Sequence, residues 1–242
     1  MRSFSYDNTE IPRAVWLDKK SKEVDKVSIP VLAVPVLNRY DLLINMLDQI
    51  NYPIDNILII DNGGSLELDP KYNAKVLNMP SNFGMSASWN LAIKCYPKAK
   101  YWLFASADTV WGEDSLAQID AESGSDYLML TSDNYGCYSV GENLIDRVGL
   151  FDEYFYPIYF EDNDFHERVT LEFGKDAIKN CDYIKTNPEV GSQTINSNPK
   201  LLNRNHETFV KNEEYFNFKK DNGFKISKGW SLSRRRDQEW VL

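Results

Sequence analysis

Apolar runs alternate with amphipathic segments over the first 130 positions. "IPVLAVPV" (29–36) is continuously apolar, the pattern of a strand covered on both faces. In "YDLLINMLDQI" (40–50), Leu43, Met46, Leu47 and Ile50 recur at helical spacing. "NILII" (56–60) predicts a second buried strand, ending in "DNGG" (61–64). Strands over 74–79, 101–106 and 126–130 follow, interleaved with helices over 84–95 and 113–120. This alternation predicts an α/β domain with a mainly parallel sheet flanked by helices. Ligands bind such sheets outside the carboxyl ends of the strands, so segments 35–39, 61–64 and 106–108 are expected along one rim.

Beyond residue 131 the pattern loosens into an aromatic-rich stretch, with a helix expected to start near Asp162 and a late strand over 179–185. Residues 199–220 read as an amphipathic helix anchored by Leu202, Phe209, Tyr215, Phe216 and Phe218. The chain divides into an N-terminal extension (1–28), one domain (29–225) and a basic tail (226–242) that carries "SRRR" (233–236). Neither repeats nor low-complexity tracts interrupt it.

Composition narrows the function classes. A chain of 242 residues with 43% hydrophobic content can bury the core of one decorated α/β domain. A net charge of -9 argues against a broad electrostatic grip on nucleic acid, which needs a basic face. Three cysteines (Cys95, Cys137, Cys181) without a CxxC pair make neither a disulfide framework nor a zinc site, and point to a reducing compartment. No apolar run reaches the roughly 20 residues needed to span a bilayer, and the first residues lack the apolar core of a signal peptide. The expectation is a cytoplasmic protein, or one peripheral to a membrane surface.

Four stretches carry candidate chemistry. In "IIDNGG", Asn-Gly is a hairpin signal, but "SLELDPKY" is a poor partner strand. The alternative is a strand-end loop with Asp61 facing a ligand and glycines that let backbone approach closely. "SNFGMSASWNLAI" (81–93) has the spacing of neither a Walker loop nor a GxGxxG fingerprint. Alone it favours a helix entry capped by Ser81, Asn82 or Ser86 over a diphosphate at a helix start. "LFASADTVW" (103–111) runs a hydrophobic strand into Asp108, and a rim carboxylate suits hard cations beside substrate phosphates.

The fourth, "YFEDNDFHER" (159–168), crowds Glu161, Asp162 and Asp164 behind two aromatics. An EF-hand loop fails, because its sixth position is Glu167 and its twelfth Phe173. Helix-end electrostatics and an Asp164–Arg168 pair account for some of the acids. A partly buried carboxylate in such a cluster is suited to general-base work, and on a helix Asp162 shares a face with His166.

Taken in order, "VPVLNRYDLL", "ILIIDNGG", "NFGMSASWNLAI", "WLFASADT" and "GLFDEYFYPIYFEDNDFHERV" resemble the blocks of family 2 glycosyltransferases with the A-type fold, rhamnosyltransferase-like members nearest. The resemblance spans 29–225 and includes "GSQTI" (191–195). It implies a single Rossmann-like A-type glycosyltransferase domain. The implied reaction is inverting hexosyl or rhamnosyl transfer from a nucleoside-diphosphate sugar to a hydroxyl of a glycan or glycoconjugate, assisted by Mn²⁺ or Mg²⁺.

Carried over residue by residue, the resemblance puts Pro35, Asn38 and Arg39 at the nucleotide, Asp61 at its base with Asn62 alongside, and Asn82, Gly84 and Asn90 beneath it. Asp108 matches the last acid of the metal-binding DxD-type motif, while Ser106 stands where that motif has its first acid. Asp162 matches the catalytic base, with Glu161 beside it. Where relatives carry a metal-binding histidine this chain has "PEVG" (188–191), leaving Glu189 and His206 as alternative ligands. Two rival readings stay open: a non-catalytic nucleotide-sugar or glycan-binding module, and nucleotidyl transfer, for which Arg39 is the only basic residue at the first strand end.

Overall fold

The computed structural model describes residues 27–132, 134–186 and 199–224. A seven-stranded sheet forms its centre, in the order β3-β2-β1-β4-β6-β5-β7. The strands are β1 (Leu32–Val36), β2 (Ile57–Asp61), β3 (Ala74–Asn78), β4 (Tyr101–Ala105), β5 (Leu128–Ser132), β6 (Asn134–Gly141) and β7 (Ile178–Asn180). β1, β2, β3 and β4 pair in parallel. β6 runs antiparallel between β4 and β5, and β7 returns parallel to β5.

Among the described residues there are six α-helices: α1 (Tyr40–Asp48), α2 (Gly84–Cys95), α3 (Ser115–Glu122), α4 (Glu142–Val148), α5 (Glu161–Phe173) and α6 (Pro199–Asp221). Alternate strand residues face opposite layers, as the pleat requires. Val34, Ile59 and Leu103 meet Leu43, Met46, Leu116 and Ile119 on one side. Ala33, Leu58, Ile60 and Phe104 meet Trp89, Ile93, Leu144, Phe165 and Val169 on the other. All five residues of β1 are buried, which is why its sequence reads as unbroken apolar.

The first half of the chain follows the sequence expectation, and α2 spans 84–95 as predicted. β6 and α4 were not expected. β6 reads "NYGCYSVG", and its buried Cys137, Tyr138, Ser139 and Val140 lack the apolar run that marks the parallel strands. The late strand expected over 179–185 is only three residues long, after which the chain turns at Asp182 and Tyr183. Among the described residues, no helix is long and apolar enough to cross a membrane.

A buried ionic cluster fastens α6 to the domain. Lys219, 1% exposed, lies 2.7 Å from Asp152 and also contacts Asp164. Arg168 donates to Asp164 at 2.9 Å and to the carbonyls of Val148 and Leu150. Two cations thus balance two carboxylates, the condition under which burying charge is tolerable. Of the expected α6 anchors, Phe209 and Phe216 pack on Phe160, and Tyr215 packs on Tyr154 and Phe155. Leu202 and Phe218 are instead exposed.

Candidate active site

A cleft of about 480 Å³ opens at the carboxyl ends of β1, β2 and β4. Pro35, Val36 and Leu37 contribute from β1, Asn62 from the turn after β2, and Ser106, Ala107 and Asp108 from the end of β4. Asn82, Gly84 and Met85 add the start of α2, and residues 156–158 the loop ahead of α5. The far wall is α6, through Arg204, Asn205, Glu207, Thr208 and Lys211. Four of the sequence segments singled out above therefore meet at one rim.

Gly84 shows how tightly the α2 corner is built. Its φ of +82° is a conformation that side-chain-bearing residues rarely adopt, and a Cβ there would sit 2.8 Å from the Pro157 carbonyl oxygen. The backbone amides of this corner are already paired. Phe83 N donates to Asn62 Oδ1, Gly84 N to Asn82 Oδ1 and Met85 N to the Pro157 carbonyl. None of the expected caps is the N-cap, which is Phe83 without a side-chain capping bond; Asn82 instead closes a turn at the helix entry, and Asn62 is a strut between strand end and helix.

Several expected ligand contacts are turned elsewhere. Asp61 is fully buried, and its carboxylate accepts from the Tyr40 hydroxyl and from the amides of Gly63 and Leu66. It holds the "DNGG" turn closed, and it does not line the cleft. Asn90 is buried within α2, where it pairs with both backbone groups of Phe151 and donates to Glu153. Asn38 is exposed at the rim without lining the cleft. Arg39 is held by Asp41 in a two-pronged pair and also feels the charge of Asp108.

The acids sit one short step from the cleft wall. Tyr159 and Phe160 both take positive φ, +82° and +71°, so the chain doubles back into α5 with Glu161 at its first position. Such backbone costs energy and persists only when its surroundings over-determine it. Here α6 does so. The Asn212 amide donates to the carbonyls of Ile158 and Tyr159, and Asn205 donates to the Tyr159 hydroxyl. The aromatics ahead of the acids are therefore a clasp for α6.

Glu161 and Asp162 face different environments. Glu161 is 3% exposed, and its Oε2 has no hydrogen-bond partner among the described residues. Burial, reinforced by the neighbouring Asp162, raises its pKa well above the ordinary value, so it holds its proton. Asp162 is half-buried, and burial raises its pKa too, opposed by the Asn163 amide and by His166. Of the pair, Asp162 is the group that ionises. Tyr135, whose hydroxyl burial keeps protonated, lies 2.9 Å from His166 Nδ1. Asp162 does not line the cleft itself; the part of this loop that does is residues 156–158.

A metal has limited support from the chain. Among the described residues, no three His, Cys, Asp or Glu side chains group to hold one. His206 is exposed in a separate depression with Leu202 and Phe209, and Glu189 lies outside the described residues. Asp108, with the Ser106 hydroxyl nearby, fits a hard cation shared with a phosphate-bearing ligand, since Mg²⁺-like ions need few protein ligands in such settings. The residues missed in the sequence are those of the α6 wall. The amphipathic reading credited only Leu202 and aromatic anchors, although Arg204 and Lys211, seven apart, share a helix face.

No protein-family model and no curated protein sequence matches the chain. Solved structures similar to it include a mannosyltransferase from Pyrobaculum calidifontis in complex with GDP-Man and Mn²⁺, at 15% identity and a TM-score of 0.49. The match covers 62% of this chain and 53% of that one. Glucosyl-3-phosphoglycerate synthase from Mycobacterium tuberculosis, in complex with Mn²⁺, UDP and glucosyl-3-phosphoglycerate, matches at 13% identity and 0.47, over 63% of this chain and 68% of its own. TarS from S. aureus matches at 17% identity and 0.44, over 59% of this chain and 33% of its own.

Proposed function

We propose that the chain is an inverting glycosyltransferase that moves a hexosyl or rhamnosyl unit from a nucleoside-diphosphate sugar to a hydroxyl of a glycan or glycoconjugate. The observation that carries this reading is the convergence of Pro35, Asn62, Asn82, Gly84, Ser106 and Asp108 on one cleft. These residues come from the blocks whose order resembles family 2 glycosyltransferases. The cleft lies at strand carboxyl ends, where open α/β sheets take nucleotides.

In the mechanism, the rim residues hold the nucleotide with its sugar directed toward the loop 156–160. Asp162, whose pKa burial raises above the ordinary carboxylate value, accepts the proton of the incoming hydroxyl as that oxygen attacks the anomeric carbon from the face opposite the diphosphate. Glu161 stays neutral beside it and so does not add a second negative charge. Inversion follows from the single displacement. Asp108 would hold the divalent cation, whose charge, when bound, eases departure of the diphosphate.

A non-catalytic nucleotide-sugar-binding module is the second reading. It is favoured by Ser106 at the first acid position and by the indirect access of Asp162 to the cleft. Incubation with UDP-, dTDP- and GDP-sugars, with and without Mn²⁺, followed by mass spectrometry for released nucleotide separates the two. Donor turnover with at least one sugar is expected; tight binding with no turnover over days would select the binding module.

A further inference from the structure

The cleft has a charge problem that its backbone does not solve. A diphosphate brings two or more negative charges, and helix starts and glycine turns usually meet them with unpaired amides. At the α2 corner the amides of Phe83, Gly84 and Met85 are all paired within the protein. In the "DNGG" turn, the amides of Asn62, Gly63, Gly64 and Leu66 are paired too. Of the strand-end side chains lining the cleft, the charged one is Asp108, and it is an acid.

Positive charge enters from the opposite wall. Arg204 and Lys211 both line the cleft from α6, with Thr208 between them on the same face. Neither cation makes a hydrogen bond or ion pair among the described residues, although Glu207 lines the same cleft. Their Cα atoms lie about 10 Å apart along the helix axis, a span that two long, flexible side chains can close around one anionic group. α6 is held in place by the Lys219 cluster and by Asn212, so the pair is presented on a fixed wall.

We propose that Arg204 and Lys211 form a clamp for the diphosphate of the donor nucleotide, supplying from the C-terminal helix countercharge that the strand-end acids cannot. The proposal rests on the nucleotide-sugar reading above and names the residues that grip its leaving group. Arg204 suits two-pronged contact with phosphate oxygens, and Lys211 acts as a movable point charge.

The test measures binding of UDP, GDP and dTDP by calorimetry to the wild type and to Arg204→Gln, Lys211→Gln and Glu207→Gln, with and without Mn²⁺. The first two positions are exposed, so these variants keep the fold, which circular dichroism and thermal melting verify. Losing a charge-assisted contact should weaken binding of the preferred nucleoside diphosphate about tenfold or more for each cation. Glu207→Gln should strengthen it, because an acid leaves the same wall. The corresponding monophosphate should respond less to all three changes.

Wild-type binding that survives unchanged in Arg204→Gln and Lys211→Gln overturns the clamp and leaves the donor reading standing. A wild type that binds none of the three nucleotides overturns both. Variants that keep nucleotide affinity but lose binding of glycerol 3-phosphate assign the pair to an anionic acceptor and overturn the diphosphate assignment.

Discussion

Lys219, near the end of α6, lies 2.7 Å from Asp152, a residue 67 positions earlier in the loop that leads to the acids. The Tyr215 hydroxyl donates to the same carboxylate, and Asp164 takes the other side of the ammonium. This contact joins the helix that walls the cleft to the segment that carries Glu161 and Asp162. Lys219→Met leaves two buried carboxylates with Arg168 as their remaining cation. Breaking such a pair from one side costs about 3–5 kcal/mol. Thermal melting should show a large drop, whereas Arg147→Ala, which breaks the exposed pair with Glu172, should cost below about 1 kcal/mol.

Asp162→Asn keeps shape and removes the proton acceptor. Nucleotide binding should stay within experimental error of the wild type while transfer falls by about 10²–10⁴-fold. Wild-type turnover in this variant would remove Asp162 from the base role.

Glu161 imposes a pH signature on stability. Below about pH 4.3 the carboxyl is protonated in both folded and unfolded chains and contributes no slope. Above that the unfolded chain loses the proton while the buried group keeps it, so the folded state binds more protons and stability falls as pH rises toward the raised folded pKa. Glu161→Gln should flatten this fall. Melting curves across the acid-to-neutral range test it, and equal slopes for the two proteins would show that Glu161 ionises normally.

Gly84→Ala should destabilise by about 1–3 kcal/mol, since alanine must either adopt the positive φ or displace the Pro157 carbonyl. The lost contact between α2 and residues 156–158 should also weaken nucleotide binding, which calorimetry would resolve from the loss of stability.

The parallel half of the sheet could be read from the chain because strands buried on both faces write continuous apolar runs, as 29–36 and 56–60 do. The antiparallel insertion could not. β6 mixes Tyr, Gly, Cys and Ser, and it is a strand because β4 and β5 flank it. At the site, strand-end position was legible and side-chain direction was not. Asp61 and Asn90 look like ligand contacts in a motif, yet both are consumed in holding loops, through partners 5 and 61 residues away among others. The α6 wall was hidden for a different reason: a cation on a solvated helix face and one aimed into a cleft have the same spelling.

The clasp between α6 and the loop of residues 158–160 sets the order in which the site can be assembled. All seven described strands and five of the six described α-helices lie within residues 32–180, whereas the Asn212 and Lys219 contacts come from α6, the last described element. A growing polypeptide would carry a finished scaffold with an open-sided cleft, and nucleotide capture should switch on only after residue 219 has left the ribosome.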